Sequence, residues 1–304
     1  MSWWNDFADR TALDVPLAPM TWFRLGGRAR YVFHPSDADD LSRFLRRALD
    51  ASVPVKVLGS GANVLVSDEG FDGAVVRLDR GSFKTIRYRE GAVETGAGVE
   101  LMPLSRTCSE RGLAGLEGLA GIPASMGGAV RMNAGGRFGE IGEVVRRVEV
   151  VTPQGDRKTI EGRALGFGYR TSALNGAIVV RVELQLRPDD PERVRARYEE
   201  CFAYKQASQP MAEHSAGCIF KNPPGASAGR LIERAGLKGT ACGRARVSER
   251  HANFIVADRG ATAADVLRLI DLVRRRVEEA FGVELETEID IWRPSGSREA
   301  AACP

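Results

Sequence analysis

The sequence has no long hydrophobic run, and none of its apolar stretches approaches the roughly 18 residues that a membrane-spanning helix needs. Residues 1–6 also lack the basic segment and following apolar stretch of a secretory signal, so we expect no signal peptide. Cysteine is scarce and odd in number, with five in 304 residues and no CxxC pair, which argues against a disulfide framework and a zinc site. We therefore expect a cytoplasmic protein with free thiols, no bound metal and no membrane partner.

An excess of charge of one sign is also missing, because 43 Lys and Arg residues face 40 Asp and Glu residues and leave a net charge of +3. This balance does not indicate nucleic acid as a partner, although it leaves room for a local basic pocket that binds a small anion. With 43% hydrophobic and 27% charged residues, the composition is typical of a globular protein. The length predicts about two domains, with one or three as alternatives.

The sequence does contain a mixture of helical and strand patterns. Helical spacing of apolar residues predicts a helix over 36–50 capped by Ser36, a helix over 191–206, and a third that begins with a capping box at Thr262 and ends at Gly282. Apolar stretches between turn residues predict strands at 53–58, 64–66, 85–89, 92–95, 148–152, 158–160, 177–186 and 284–292. The proline-acid stretch 188–191 is the best candidate for a domain boundary.

Glycine is abundant, with 34 residues, and two glycine-rich loops could carry chemistry. Residues 59–63 (GSGAN) join two apolar strands, and backbone amides turned inward by glycines form an anion nest suited to a phosphate. A plain turn is the simpler interpretation. A Rossmann site is disfavoured, because the string is not GxGxxG and a strand follows it. The longer loop 118–136 lacks the Gly-Lys-Ser/Thr of a Walker loop, and both tight packing and a flat ligand against its backbone stay open.

Two polar clusters complete the candidates. Residues 169–172 (YRTS) end a glycine-rich stretch, and residues 215–223 (SAGCIFKNP) place a thiol, a cation and an amide in one short segment. Taken singly, Cys218 is typical of a buried thiol, Arg170 of a surface charge and Glu288 of a solvated strand residue. None of them indicates catalysis by itself.

Seven segments, in one order along the chain, carry a resemblance that no single motif would carry. They are TWFRLGG at 21–27, the 59–63 loop, the 121–136 loop, YRTS at 169–172, SAGCIFKNP at 215–223, VSERHANFI at 247–255 and LETE at 285–288. Together they resemble the UDP-N-acetylenolpyruvoylglucosamine reductase (MurB) family over about residues 20–292. The sequence is similar to the shorter subtype of that family, because it has no room for an insertion between residues 170 and 215.

The resemblance implies an α+β fold. A two-part FAD-binding module of the vanillyl-alcohol-oxidase (PCMH) type, over 1–82 and 83–190, would precede an α+β substrate-binding domain over 191–304. The implied activity is that of an oxidoreductase that uses FAD and NADPH to reduce the enolpyruvyl ether of UDP-N-acetylglucosamine to UDP-N-acetylmuramate. This product is a cytosolic precursor of peptidoglycan, so roles in cell wall biogenesis, cell shape, cell division and the cell cycle are implied. The expected partner is the substrate, UDP-N-acetylglucosamine enolpyruvate; the sequence does not set the oligomeric state, for which a monomer is our expectation.

Site residues follow from the same resemblance. Arg170 would polarise the carboxylate of the enolpyruvyl group, Glu288 would hydrogen-bond it, and Cys218 would donate a proton where most of the family has a serine. Contacts with substrate are implied for Tyr169, Lys221, Asn222 and Asn253. Contacts with FAD are implied for Gly59, Ser60, Gly61, Ala62, Asn63, Gly121, Ile122, Pro123, Gly127, Gly128, Asn133, Ala134 and Gly135.

Two other interpretations stay open at this point. The first is another FAD-dependent oxidoreductase of the same fold that acts on a hydroxy acid or an alcohol; the pattern from Ser215 to Glu288 argues against it. The second is a non-catalytic sugar-nucleotide-binding protein in which Cys218 marks lost function. The presence of both Arg170 and Glu288 argues against that interpretation.

Overall fold

The computed structural model describes residues 2–293. Helices and strands are interspersed along the chain, as the sequence patterns predict. The helices are α1 (Ala38–Asp50), α2 (Leu101–Glu110), α3 (Met126–Arg131), α4 (Pro191–Ser208), α5 (Ala228–Arg234) and α6 (Ala263–Phe281). The strands are β1 (Thr11–Pro16), β2 (Arg28–Phe33), β3 (Val55–Val57), β4 (Val64–Val66), β5 (Phe71–Val76), β6 (Ile86–Arg89), β7 (Ala92–Gly96), β8 (Leu113–Ala114), β9 (Gly135–Gly136), β10 (Gly139–Glu140), β11 (Val145–Val151), β12 (Arg157–Glu161), β13 (Ile178–Gln185), β14 (Arg187–Pro188), β15 (Ala241–Cys242), β16 (Ala245–Val247), β17 (Ile255–Ala257) and β18 (Asp290–Trp292).

The strands form several small sheets, in which antiparallel pairing dominates. The sheet orders are β12-β11-β13-β7-β6, β1-β2-β5-β3, β15-β16-β17, β10-β9, β14-β8 and β18-β4. Strands β3 and β5 pair in parallel, as do β4 and β18. This mixture of helices with largely antiparallel sheets confirms the predicted α+β class.

Both predicted hairpins are present in the five-stranded sheet. Strands β6 and β7 pair around the turn at Glu90 and Gly91, and β11 pairs with β12 around residues 152–156. The long strand β13 lies between β11 and β7 and pairs with both. Its alternating buried side chains, including Val182 and Leu184, are almost fully shielded from solvent, as expected for a strand with one face on a core.

The capping residue of helix α1 lies one position later than predicted. The side chain of Asp37, not Ser36, caps the helix by accepting a hydrogen bond from the backbone amide of Asp40 at 2.8 Å. A carboxylate is well placed there because the first turn of a helix has unbonded amides and a partial positive charge. The amide of Ser36 donates instead to the side chain of Asp40 at 3.1 Å.

The described residues divide into two compact units. Unit 1 takes residues 2–13, 31–60 and 73–205, and unit 2 takes residues 14–30, 61–72 and 206–293. The core of unit 1 contains Phe33 and Phe44, whose rings stack with centroids 3.9 Å apart. The three domains predicted at 1–82, 83–190 and 191–304 stay a prediction.

Unit 2 has its own apolar core, built around α6 and the sheet β15-β16-β17. Helix α6 has the predicted capping box between Thr262 and Asp265, and it ends at Gly282 in a left-handed conformation with φ of 65°. The predicted strand 284–292 is shorter than expected, because only β18 (Asp290–Trp292) forms a continuous ladder, with β4. The preceding residues pair singly with the 218–221 segment, as described below.

The cysteines correct one expectation. Cys108, Cys201 and Cys218 are free thiols, as predicted, but Cys242 is disulfide-bonded. The fifth cysteine, Cys303, lies outside the described residues. Within residues 2–293, no group of three His, Cys, Asp or Glu side chains could hold a metal ion. No described helix is long and apolar enough to cross a membrane.

Candidate active site

The predicted cofactor turn 59–63 leaves several backbone amides free. Among the residues that the structure describes, the amides of Ser60, Gly61 and Ala62 donate to no protein acceptor. Gly61 is buried and left-handed, with φ of 69°, which glycine adopts at little cost. Successive unbonded amides in such a turn are suited to a phosphate.

Part of this turn lies against the second glycine-rich loop, within unit 1. A Cβ on Gly59 would lie 2.3 Å from the Oγ of Ser125, so a side chain there would displace the serine hydroxyl. The guanidinium of Arg77 donates to the carbonyl of Gly59 at 3.0 Å, and the hydroxyl of Ser60 donates to Glu100 at 2.6 Å. These two contacts therefore hold Gly59 and Ser60, the first two residues of the turn, in place.

The 121–136 loop is anchored by backbone hydrogen bonds to the end of β7 and the residues after it. The amides of Met126 and Gly127 donate to Val99 and Ala97, each at 2.8 Å. Ser125 caps the short helix α3 by accepting from the amide of Gly128 at 3.4 Å. Within the described chain, the amide of Ser125 itself donates to no protein acceptor. These hydrogen bonds hold the backbone of residues 126–128 against the segment that follows β7.

The side chain of Asn133, a predicted cofactor contact, is hydrogen-bonded to other residues of the protein. It is almost fully buried, with φ of 45°. Its side-chain amide donates to Glu140 at 2.7 Å and to the carbonyl of Gly168 at 3.0 Å, and its side-chain oxygen accepts from the amide of Gly142 at 2.9 Å. Any contact of Asn133 with a cofactor therefore falls to its backbone.

Tyr169 and Arg170 occupy the tip of a tight turn. Gly168 and Thr171 bond to each other through both amides, at 3.1 and 3.2 Å, which places the two residues between them at the tip. Arg170 is left-handed, with φ of 55°, a conformation that is uncommon for side chains other than Asn, Asp and Gly. Such strain is often found at functional positions, because the surrounding structure must hold it.

The guanidinium of Arg170 contacts two groups of the loop after Asn133. It donates to the carbonyl of Gly135 at 3.0 Å, lies 3.8 Å from Glu140, and has 14% of its side chain exposed. Its carbon lies 5.0 Å from the ring centre of Tyr169. Because Glu140 also accepts a hydrogen bond from the side-chain amide of Asn133, its carboxylate connects the Asn133 side chain to the Arg170 turn. In unit 1 the structure thus brings together Gly59, Ser60, the 121–135 loop, Tyr169 and Arg170.

Cys218 lies in a short extended segment of unit 2. It forms an isolated antiparallel bridge with Phe254 and is partly exposed. Gly217, which precedes it, is left-handed with φ of 77°, and a Cβ there would meet no atom within 4 Å. The thiol therefore follows a bend that glycine permits.

Glu288 lies on the neighbouring segment. Its amide donates to the carbonyl of Ile219, the residue after Cys218, at 2.7 Å. Its own carbonyl accepts from the side chain of Asn63 at 3.2 Å. In unit 2 the structure therefore brings together Gly61–Asn63, the Cys218 segment and the Glu288 segment.

The three predicted substrate-binding residues of unit 2 make different contacts within the protein. Asn253 is buried and bonds twice to the backbone of Phe220, at 3.0 and 2.8 Å, so its side chain holds the Cys218 segment in place. Asn222 accepts from the amide of Ala228 at 3.0 Å. Lys221 forms an ion pair with Glu286 and is partly exposed. Asn222 is exposed and Lys221 is partly exposed, so a ligand can reach both side chains, whereas Asn253 is buried.

His251 supports the same segment. Burial lowers the pKa of its imidazole, its ring packs edge-on against Phe254, and its Nδ1 accepts from the amide of Asn253. An acceptor nitrogen carries no proton, so the neutral form fits this contact.

Sequence reasoning missed two residues near Arg170. Glu140 could not be linked to Arg170 from the sequence, because the two residues lie 30 positions apart. Lys205 could have been found, since it occupies the buried face of α4 that Val194 and Cys201 also occupy, with spacings of a helix. A lysine on the apolar face of a helix is a departure from the usual pattern.

Two family models match the chain. The model described as "FAD binding domain" matches residues 29–161, and the model described as "UDP-N-acetylenolpyruvoylglucosamine reductase, C-terminal domain" matches residues 209–292. The two matches cover the glycine-rich loops and the segments that carry Cys218 and Glu288.

Curated and solved proteins agree with these matches. The chain is 44% identical over 297 residues to the UDP-N-acetylenolpyruvoylglucosamine reductase of Heliobacterium modesticaldum, covering 97% of this chain and 94% of the relative. It is 45% identical over 279 residues to reductase 2 of Symbiobacterium thermophilum, covering 91% and 90%. The crystal structure of the MurB reductase from Thermus caldophilus matches with a TM-score of 0.80 and 42% identity, over 93% of this chain and 98% of that one. The chain belongs to the UDP-N-acetylenolpyruvoylglucosamine reductase (MurB) family.

Proposed function

We propose that this chain is an FAD- and NADPH-dependent reductase that converts the enolpyruvyl ether of UDP-N-acetylglucosamine to UDP-N-acetylmuramate, a precursor of peptidoglycan. The observation that carries the proposal is the match to named reductases over 97% of this chain and 94% of the relative's length. A match of that extent includes the flavin-binding part and the C-terminal part together.

The local geometry supports FAD as the cofactor. The free amides of residues 60–62 provide donors for the pyrophosphate. The backbone of residues 121–128 would lie along the remainder of the cofactor. When bound, FAD supplies the hydride chemistry, while the protein supplies binding, orientation and electrostatics.

Arg170 is suited to hold the substrate carboxylate. Negative charge develops on that carboxylate when the double bond is reduced, and a guanidinium stays charged and can bind two oxygens. The contacts with Gly135 and Glu140 fix the group before substrate arrives. Preorganised donors of this kind stabilise a transition state without having to reorient.

Glu288 and Cys218 would complete the chemistry. Glu288 can hydrogen-bond the carboxylate if it carries or shares a proton. Cys218 would deliver a proton to the carbon next to the site of reduction. A thiol has a reference pKa of about 8.5 and gives up its proton more readily than a hydroxyl.

The other two interpretations are less well supported. An oxidase acting on a hydroxy acid or alcohol does not account for the match of residues 209–292 to a reductase C-terminal domain. A non-catalytic binding protein does not require Arg170 in a strained, fixed position.

One experiment separates the three functions. The purified protein should be yellow, lose its colour with NADPH in the absence of air, and regain it when UDP-N-acetylglucosamine enolpyruvate is added. A colourless protein would support a binding function. Loss of colour without recovery on this substrate would support another oxidoreductase. Product identity is checked by mass spectrometry.

We also propose that the enzyme is cytoplasmic and monomeric. Its sugar-nucleotide substrate supports the location. Light scattering should give a particle mass near 33.0 kDa, the mass of one chain, and twice that mass would contradict the monomer. Fractionation of cells should place the protein in the cytoplasm.

A further inference from the structure

Lys205 is buried on the inner face of α4, where an apolar side chain would be expected. It shares this face with Val194 and Cys201 and is only 7% exposed. The neighbouring Tyr204 is 43% exposed, so the helix turns its lysine inward and its aromatic ring outward. Lysine is almost never fully buried unless it is paired.

The ammonium of Lys205 has no partner. Among the described residues, its Nζ is buried and forms no hydrogen bond. An ammonium carries three donors, and leaving a buried charge unpaired is costly. Burial, with a smaller contribution from the positive charge of Arg170, lowers the pKa of Lys205 to about 8. A bound anion would satisfy the donors and offset the charge.

The residues around Lys205 also favour a bound anion. The end of α4 packs on the loop after Asn133. The ring of Tyr204 on the helix lies against the ring of Phe138 on the loop, with centroids 5.3 Å apart. Arg170 is bonded to Gly135 of the same loop. Arg170 and Lys205 thus bring two cations to this region.

We propose that Lys205 is a substrate-binding residue that, together with Arg170, holds the carboxylate of the enolpyruvyl group. The inference rests on the proposed function. Lys205 would be a second cation at the carboxylate, with different chemistry. Arg170 can bind two oxygens in a plane, whereas the ammonium of Lys205 acts as a compact point charge. A phosphate of NADPH or of the sugar nucleotide has similar chemistry, and the experiment must separate these sources.

The test measures equilibrium binding to the flavin-loaded protein by the change in flavin absorbance or by calorimetry, without turnover. Lys205→Met keeps the length of the side chain and removes the charge. Its affinity for UDP-N-acetylglucosamine enolpyruvate should fall ten- to hundredfold, the loss expected for one charge-assisted hydrogen bond. Its affinity for UDP-N-acetylglucosamine, which lacks the carboxylate, should be unchanged. Lys158→Met, on the exposed strand β12, is the matched control and should change neither.

Each other result overturns the proposal. An equal loss for both sugar nucleotides would assign Lys205 to the diphosphate, and a loss confined to NADPH would assign it to that cofactor. No loss for any ligand would make the lysine structural. Unchanged binding of UDP-N-acetylglucosamine shows that the variant is folded. Failure of the proposed function has a different signature, because wild-type protein would then fail to bind or reduce the enolpyruvyl compound.

A second readout uses pH. The groups that act on Lys205 are Cys201 on the same helix and Arg170 from the 168–171 turn. Wild-type affinity for the enolpyruvyl compound should decline as pH rises above about 8, because the ammonium loses its proton before the anion binds. Lys205→Met should show no such decline when both are compared in a Cys218→Ser background, and a decline of equal size in that variant would contradict the proposal.

Discussion

At the residue scale, Cys218 makes the sharpest prediction. If its thiol donates the proton, Cys218→Ser should keep substantial activity, because a hydroxyl of similar volume can donate. Cys218→Ala should reduce turnover by on the order of a hundred- to ten-thousandfold, the range for general acid catalysis. Reduction of the flavin by NADPH, followed by absorbance in a stopped-flow instrument, should be spared in both variants.

The pH dependence of Cys218 gives an independent check. A thiol donor must be protonated, so wild-type turnover should fall as pH rises through the thiol pKa in the complex. Turnover is measured at saturating substrate, so that the effect of Lys205 on affinity does not enter. The fall should be absent in Cys218→Ser, whose hydroxyl does not titrate in this range. An alanine variant with near wild-type turnover would remove the thiol from the mechanism.

Arg170 and Glu288 should act only when hydride transfer places negative charge on the carboxylate of the substrate. Arg170→Ala and Glu288→Gln should accept electrons from NADPH at a near-normal rate. Each should then pass them to substrate at least about a hundredfold more slowly, the scale of one preorganised donor. A drop of the same size in both half-reactions would contradict the assignment.

The sequence predicts which residues are chemically distinctive but not what each one touches. Arg170 could be singled out by its motif, whereas its contact with Glu140 joins positions 30 residues apart. Asn253 bonds to Phe220, 33 positions away, so its structural use has no local signature. Hydrogen bonds over such separations depend on the folded chain, and no local pattern encodes them.

At the scale of single elements, a substitution at Gly61 in the 59–63 turn would not locate the flavin. Gly61→Val would remove flavin binding by an indirect route. A Cβ there would lie 2.1 Å from the carbonyl oxygen of Met20, and φ is 69°, so the substitution strains the chain whether or not a ligand is present. Loss of flavin in that variant would not locate the cofactor.

Gly128 offers the better substitution. It has an ordinary backbone conformation, is exposed, and a Cβ there would meet only the Ser125 hydroxyl, at 3.3 Å. Gly128→Val should therefore fold normally yet purify with little flavin, because the side chain would fill space along the cofactor. Flavin content is read from the absorbance ratio, and urea unfolding of the flavin-free forms serves as the control. Full flavin content in this variant would place the cofactor elsewhere.

Helix α4 allows a prediction about stability. Lys205 has a pKa of about 8 in the folded chain against an ordinary 10.5, so the unfolded chain binds this proton more tightly. The charge therefore costs stability below pH 8, by up to about 3 kcal/mol at 1.36 kcal/mol per pKa unit. That cost should shrink as pH rises from about 8 to 10.5.

Removing the charge should thus stabilise the protein. Lys205→Met should raise the free energy of unfolding at pH 7, and its advantage over wild type should vanish near pH 10.5. Lys158→Met, with an exposed lysine, should stay within about 0.5 kcal/mol of wild type. Urea titrations at several pH values measure all three proteins. A variant less stable than wild type at pH 7 would contradict a buried, unpaired cation.

Elements with local signals were predictable, and those without were not. The capping box of α6 was predicted because Thr262 and Asp265 bond to each other three positions apart. The strand over 284–292 was predicted too long, because its extent depends on distant partners. Only Asp290–Trp292 finds a continuous neighbour, in Val64–Val66.

At the scale of the whole molecule, the two compact units are built from separated parts of the chain. Unit 2 takes residues 14–30 and 61–72 together with the residues after 205. Pairing between Asp290 and Val64 joins positions more than two hundred residues apart. Composition and turn residues, such as the proline-acid stretch at 188–191, indicate where a chain can change direction, but not which distant segments meet.

Removal of the cofactor tests the molecule as a whole. Flavin-free protein should unfold at a lower temperature than loaded protein, because a ligand at a hundred times its Kd adds about 2.7 kcal/mol to the free energy of unfolding. That gain alone does not locate the ligand. Hydrogen exchange does, because the amides of Ser60, Gly61, Ala62 and Ser125 have no protein acceptor within the described chain and should exchange rapidly without flavin.

Addition of FAD should therefore slow exchange at these four amides by at least about tenfold, since each hydrogen bond to the ligand must open before exchange. The paired amides of the β11–β12 hairpin should be protected in both states and serve as the internal reference. Protection that appears only in the hairpin would report global stabilisation and leave the flavin unplaced. Rapid exchange at residues 60–62 in the loaded protein would contradict a phosphate nest at this turn.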